Sequence, residues 1–464
     1  MKENKFTRRD FLRAGALTAA GAALAGCCPA EATPEQVVVT QVVEREGETV
    51  VETQMVEQVV TAEPAEPEVR RIAFWTPVSQ ADWDGELFYA ITQQFNEEHA
   101  GEMYAEYVYT PLSTGRLGMS NLSEKLLTNI AAGTPPEAAY MDRFLVISWA
   151  AQGSLSNIKD YLDAEGISGD DYIEAAWLEG VWKGGAYCLP LFTGTCALYY
   201  NKDHVRATGR SGEVDDFPTG EGSLGEFDAL VEEMTIREGP RYTQIGFIPW
   251  YGMNVYQMGY IFGGQFYDDE TMTFTFDDPR VIQALEWMVS YVNKYDIEKI
   301  DAAMEGFGGQ AQHGFTSGQV STQFRWVGNV ETHRKYNPDL DFWTVKMPHP
   351  EGGRPNSYLG GWCTVVPKND DMEAAEAGFE FINYFANEEN MFLFCKEAGR
   401  MPAHLATLND PVFTEDPIFQ PFWDVAEGSY SRPRVPIAAE LWTRVRAEVQ
   451  DRLIHKGTDP AEEM

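Results

Sequence analysis

From residue 71 onward the hydrophobic positions switch repeatedly between two periods. Arg71-Ile-Ala-Phe-Trp-Thr76 and Tyr104 to Tyr109 are short runs of strand-favouring residues, and between them Leu87, Phe88, Ile91 and Phe95 recur at helical spacing. Leu122, Leu126, Leu127 and Ile130 form a second helical stripe. Asn121 and Glu124 are placed to cap its start, and Gly133, Pro135 and Pro136 to stop it. Strands alternating with helices predict an α/β sheet, and such sheets bind ligands beyond the carboxyl ends of their strands. Trp75, Thr76 and the stretch Ala139-Tyr-Met-Asp-Arg143 therefore become candidates for one wall of a cleft.

The pattern changes at Trp182 to Asp203, WKGGAYCLPLFTGTCALYYNKD. Two apolar runs, Ala186 to Phe192 and Thr195 to Tyr200, flank Gly194 and predict two extended segments meeting at a bend. Such segments suit a chain passing from one domain to another, because they absorb small backbone rotations. Tyr187 and Phe192 then fall on a cleft floor, and Tyr199 and Tyr200 pack where the next domain begins. Beyond the bend, Ser223 and Glu226 read as a capping box ahead of Phe227, Leu230, Val231 and Met234. Val281, Leu285, Met288, Val292 and Tyr295 make another stripe, and Phe381, Ile382 and Phe385 a third. Ile437, Leu441, Val445, Val449 and Leu453 predict a C-terminal amphipathic helix.

The first 68 residues follow different rules. Thr7-Arg8-Arg9-Asp10-Phe11-Leu12-Arg13 precedes an Ala/Gly/Leu run that is shorter than the roughly 20 apolar residues a membrane span needs. Paired arginines before such a run match a twin-arginine export signal over residues 1–26. Leu24-Ala25-Gly26-Cys27 resembles a bacterial lipobox, with Cys27 the residue that is lipidated. Residues 27–68 read as an acidic low-complexity tether, in which Val37 to Glu44 is echoed by Val50 to Glu57. The valine spacing suits a strand, but the glutamates and Pro64 and Pro67 favour an extended segment.

Composition narrows the function. With 35 basic and 72 acidic side chains the formal charge is −37, which works against association with nucleic acid or anionic lipid. The six cysteines show no zinc spacing; Cys188 and Cys196 flank the bend, close enough to bridge, but read in preference as two buried free thiols. There is no HExxH, GxSxG or P-loop. Gly220-Glu-Gly-Ser-Leu-Gly225 has the letters of a dinucleotide fingerprint, but no buried strand precedes it, and it reads as a loop entering a helix. No catalytic residue, cofactor or metal is assigned. The aromatic residues are more telling, because flat aromatic faces with polar groups at their edges suit a small-molecule site. Trp75, Trp250, Tyr251, Trp326 and Trp362 sit at predicted strand ends or glycine-flanked turns, and Arg325-Trp326 ends the run Val320 to Phe324.

These segments together resemble a known family. SEKLLTNIAAGTPPEAAYMDRF, the Gly-Tyr-Leu-Pro and Leu-Tyr-Tyr-Asn-Lys elements of Trp182 to Asp203, Phe315-Thr-Ser-Gly-Gln-Val, Tyr358-Leu-Gly-Gly-Trp362 and Gly399-Arg-Met-Pro402 are similar to signatures of the carbohydrate-type solute-binding proteins that feed ABC importers. The likeness runs from about Ile72 to Leu453. It implies an α/β, two-lobed periplasmic-binding-protein-like fold of type II, with crossings near Gly194 and between about Phe342 and Thr364. Lobe one would hold 69–194 with part of about 345–362, and lobe two 195–344 and 363–464.

It also implies a non-enzymatic monomer, lipid-anchored on the outer face of the cytoplasmic membrane. Such a protein captures a sugar or oligosaccharide by hinge closure and delivers it to permease subunits. Asp142-Arg143 resembles the pair with which the family's maltose-binding members hold sugar hydroxyls, with Tyr140 near a stacking position. Gly361 and Trp362 lie in a family signature, and Trp442 and Arg446 resemble sugar-contacting positions. Cys196 departs from the pattern, standing where the maltose-binding members carry a ligand glutamate. Two other readings stay open at this point: a surface glycosidase or lyase using cleft carboxylates, and a same-fold binder of a polyamine.

Overall fold

The computed structural model describes residues 36–45, 48–57, 69–111, 120–239, 241–268, 270–309, 312–426 and 428–463. Residues 1–26, expected to form an export signal, and Cys27 lie outside the described residues. Within the first 68 residues the two echoing segments find each other. Gln36–Arg45 (β1) and Glu48–Glu57 (β2) pair antiparallel, with Val42 opposite Val51 and Thr40 opposite Thr53. The extended tether is thus corrected to a hairpin over these residues, since β-branched strand formers recur in both segments and supply two strands.

From Val69 the strands that build the two main sheets are, in chain order, β3 (Arg70–Thr76), β4 (Met103–Tyr109), β5 (Ala138–Asp142), β6 (Leu189–Gly194), β7 (Cys196–Asn201), β8 (Thr322–Trp326), β9 (Phe342–Val345), β10 (Gly360–Val365) and β11 (Met401–Pro402). The first sheet has the order β11-β6-β10-β5-β3-β4, and the second β8-β7-β9. In the first sheet β3 runs parallel to β4 and β5, while β10 is antiparallel to both β5 and β6. The predicted helix through Phe88 and Phe95 spans Trp83–Glu98 and seats those rings against the helix Met372–Phe385, with Phe88 5.0 Å from Phe385 and Phe95 5.1 Å from Phe381. In the second unit of packing, Phe227, Leu230 and Val231 are buried from the helix Leu224–Glu233. Val281, Leu285 and Met288 are buried from the helix Pro279–Lys294.

The bend at Gly194 is the first crossing between sheets. β6 belongs to the first sheet and β7 to the second, with Thr195 alone between them, and both strands are buried along their whole length. The second crossing lies between β9 and β10. Its position corrects the lobe boundaries. Residues near 345–358 stay with the second sheet, where Val345, Met347 and Tyr358 join its core and Arg280 donates to the Glu351 carbonyl. The chain returns to the first sheet only at Gly360. The helices Met372–Phe385 and Glu388–Ala398 then pack on that first sheet, not on the second, because Phe381, Ile382 and Phe385 complete the core around Phe74 and Phe88.

Two local expectations also change. Ser223 adopts a helical conformation and donates its hydroxyl to the Gly220 carbonyl, so no capping box forms there. At the C-terminus the helix Ala438–Arg444 runs into wider π-type turns at Val445–Val449 and Arg452–Lys456. Val449 and Leu453 of the expected stripe stay buried through these turns, with Trp442 and Ile454, while Ile437, ahead of the helix, is exposed.

Candidate functional site

A cavity of about 700 Å³ opens where the two crossings bring the sheets together. That volume lies within the range of about 300–1,000 Å³ usual for small-molecule sites. Its aromatic lining comes from both sheets and from the C-terminal segment: Phe144, Phe192, Trp250, Trp326, Tyr358, Trp362 and Trp442. Three of the four tryptophans are held from behind. Trp362 stacks on Tyr140 at 4.9 Å, and Trp442 on Tyr256 at 3.4 Å with the rings parallel. The Trp326 carbonyl accepts from the Tyr199 hydroxyl at 2.8 Å. The Trp326 ring passes so close to β10 that a Cβ on Gly360 would come within 2.9 Å of it.

Polar groups stand between these rings. Asn254 and Gln257 cap the helix Val255–Ile261 reciprocally, with Asn254 accepting from the Gln257 amide and Gln257 Oε1 accepting from the Asn254 amide. Gln257 also donates to the Cys196 sulfur at 3.1 Å, and burial pushes that thiol well up, so it stays protonated. Cys196 thus acts as a buried partner of a cavity residue, and it is a free thiol, as is Cys188.

Of the candidate residues, Asp142, Phe192, Trp250, Arg325, Trp326, Gly361, Trp362 and Trp442 line the cavity. The others do not, and each has a physical reason. Thr76 is fully buried, its hydroxyl accepting from the Val78 amide as the chain folds over the strand end. Trp75 packs beside Leu126 and Met141 with Lys125 over its ring at 4.3 Å. Tyr187 joins the same small cluster, near Trp149 and Cys188. Tyr140 is the underside of Trp362. Tyr251 supports Arg325, whose guanidinium lies 5.1 Å over its ring.

Arg143 is the sharpest correction. It is completely buried and donates to Glu179 at 3.1 Å, to the Phe192 carbonyl at 2.7 Å and to the Gly360 carbonyl at 3.1 Å. It therefore clamps β6 to β10 where the two crossings meet. Gly361 is required by this clamp, since a Cβ there would sit 2.2 Å from Arg143 Nη1. Asp142, its neighbour in sequence, faces the cavity with its side chain 30% exposed.

Sequence reasoning missed Glu179 and Arg432, which complete a buried charge network. Arg432 donates to both Glu179 oxygens at 2.8 and 2.9 Å and reaches Asp142 Oδ1 at 2.9 Å. Its guanidinium lies 4.6 Å over the Phe144 ring. Also missed were Arg400, paired with Asp84 at 2.6 Å, and the polar pair Asn254 and Gln257. The spacing Asn254-x-x-Gln257 is a capping-box signal that was available in the sequence. Nothing in sequence joins Glu179 to Arg432, 253 positions away.

Among the described residues no carboxylate holds Arg325. Its Nη2 donates to His313 Nε2 at 2.8 Å, and its Nε is buried without a partner. Burial, and then the Arg325 charge, push His313 down to about 4, so the imidazole is neutral and free to accept. Behind it, burial, then His313 and Arg325, push His333 down to about 3. Asp142 is the one carboxylate among the described residues lining the cavity. This sets the structure against the glycosidase reading, which calls for two carboxylates across the scissile bond. It also sets it against the polyamine reading, since Arg325, Arg400, Arg432 and Arg446 line the same space.

A family model for bacterial extracellular solute-binding proteins matches residues 90–421. The chain belongs to this family, and it is a binding protein rather than an enzyme. Among curated proteins, it is 23% identical over 342 residues to a maltotriose-binding protein of Pyrococcus abyssi, covering 71% of this chain and 68% of that one. Among solved structures, CpMnBP1 with mannobiose bound superposes with a TM-score of 0.72 at 22% identity, covering 85% of this chain and 98% of that chain. An ABC transporter solute-binding protein of Thermotoga lettingae, bound with α-D-tagatose, gives 0.69 at 20% identity, covering 85% and 96%. The fold is thus the two-lobed α/β architecture of the maltose-binding-protein type.

Proposed function

We propose that this chain is the receptor of an ABC importer that captures a sugar or oligosaccharide and hands it to membrane permease subunits. The observation that carries the reading is the cavity at the crossings, where four tryptophans from separate elements stand around polar edge groups. Relatives that bind maltotriose and mannobiose support the same class of cargo. The mechanism is closure about β6–β7 and β9–β10. Phe192 and Trp362 belong to one sheet, and Trp250, Trp326 and Trp442 pack with the core of the other. A ligand touching both sets stabilises the closed state, which the permease reads. Export by the twin-arginine signal and anchoring through a lipid on Cys27 would keep the receptor at the outer face of the membrane.

A thermal-shift panel of mono- and oligosaccharides, set beside putrescine and spermidine, tests this reading. A cognate sugar at a hundred times its Kd adds about 2.7 kcal/mol of stability. A shift with the amines and none with any saccharide would overturn it, as would turnover of the sugar. Labelling with radioactive palmitate in the native host tests the anchor, and incorporation that survives Cys27→Ala would refute it.

A further inference from the structure

The charge inside the cavity runs opposite to the charge of the chain. Acidic residues outnumber basic ones 72 to 35 overall, yet the lining carries Arg325, Arg400, Arg432 and Arg446 against Asp142. Most of these charges are answered from within. Arg400 pairs with Asp84, and Arg143 and Arg432 pair with Glu179, while Arg432 also pairs with Asp142. Among the described residues no carboxylate pairs with Arg325 or Arg446. Arg325 is satisfied only by a neutral histidine and the face of Tyr251, and its Nε is buried with no partner. Five arginines stand with three carboxylates, leaving two positive charges unanswered on the cavity wall.

A neutral sugar leaves both charges unmet. A carboxylate answers each of them, because it accepts two parallel N–H bonds from one guanidinium, and such charge-assisted bonds are about twice as strong as neutral ones. We infer that the cargo is an acidic saccharide, a uronic-acid oligosaccharide whose carboxylates seat on Arg325 and Arg446 while its ring faces lie on the tryptophans. This rests on the sugar reading above and narrows it.

The test is isothermal titration of the exported chain with the disaccharides of galacturonic, glucuronic and mannuronic acid, each beside the neutral disaccharide of the same linkage. The expected result is that one diuronide binds at least about tenfold tighter than its neutral counterpart. Arg446→Gln and Arg325→Gln then each reduce diuronide affinity by about tenfold or more and narrow its preference over the neutral counterpart to within about threefold. Arg446 is exposed, so its substitution reads binding without a folding penalty. Equal or tighter binding of the neutral disaccharides overturns the inference and leaves the sugar reading standing, as does a uronide preference that survives both substitutions. Binding of succinate or citrate with no saccharide binding overturns the sugar reading itself, and the saccharide assignment with it.

Discussion

Two sets of arginines meet at this cavity, and they solve the problem of a buried charge in opposite ways. On the floor, Arg143 and Arg432 are almost inaccessible, and Glu179, Asp142 and strand carbonyls hold them. On the wall, Arg325 and Arg446 find no carboxylate partner among the described residues. The floor spends its bonds on holding β6, β10 and the segment at Arg432 in one geometry. The wall leaves its bonds open. The difference teaches that arginine content does not mark a binding group, whereas unanswered hydrogen-bonding capacity does. Floor substitutions should therefore strike stability, and wall substitutions affinity.

The largest expected effect is on the floor. Glu179→Gln strands Arg143 and Arg432 in the interior, and loss of one partner from a buried ion pair costs about 3–5 kcal/mol. Urea unfolding should record a shift of that size, and a near-wild-type midpoint would dissolve the distinction between floor and wall. Gly361→Ala presses a methyl group onto Arg143 and the Phe192 carbonyl and should destabilise by about 1–3 kcal/mol.

Acid provides a third probe, and it reaches the acceptor that holds the wall arginine. His313 and His333 titrate near 6.5 when unfolded but at about 4 and about 3 when folded. The folded state thus favours their neutral forms. Their contribution is complete above about pH 6.5 and is lost as pH falls toward 3, because the unfolded chain takes up those protons first. Melting temperature should fall over this window, and His333→Gln should flatten the fall; an unchanged slope in that variant would contradict the assignment. The smallest effect on stability belongs to the wall itself, where Arg446→Gln should move the unfolding free energy by no more than about 0.5 kcal/mol. A larger loss would place Arg446 among the structural arginines.

Much of this fold was legible because it rests on local pattern. The strands near 71–76 and 104–109, the helix through Phe88, and the paired runs around Gly194 all announce themselves by period and by turn residues. Domain membership after residue 345 was not legible, since the apolar face of Met372–Phe385 says that it is buried but not against which sheet. The same limit applies to Asp142 and Arg143. Adjacent in sequence at the end of one strand, they face different ways, and only the positions of Glu179 and Gly360 decide which becomes the clamp. The π-type turns after Arg444 also escape a helical reading, because the stripe residues Val449 and Leu453 stay buried through them. Trp250, Trp326 and Trp362 were legible as aromatic platforms and Trp442 through the family likeness, whereas Trp75 fell outside the cavity, and that Arg325 and Arg446 lack a carboxylate partner among the described residues needed the fold.

The central claim is that the tryptophan-lined cavity is where a saccharide binds, and calorimetric titration of the wild type against Trp362→Ala tests it most directly. The account predicts one saccharide per chain with a negative heat-capacity change, as burial of a ring face on an aromatic platform requires. It also predicts about a hundredfold weaker binding in the variant while the folded protein persists at the titration temperature. Equal affinity in the two proteins would contradict it.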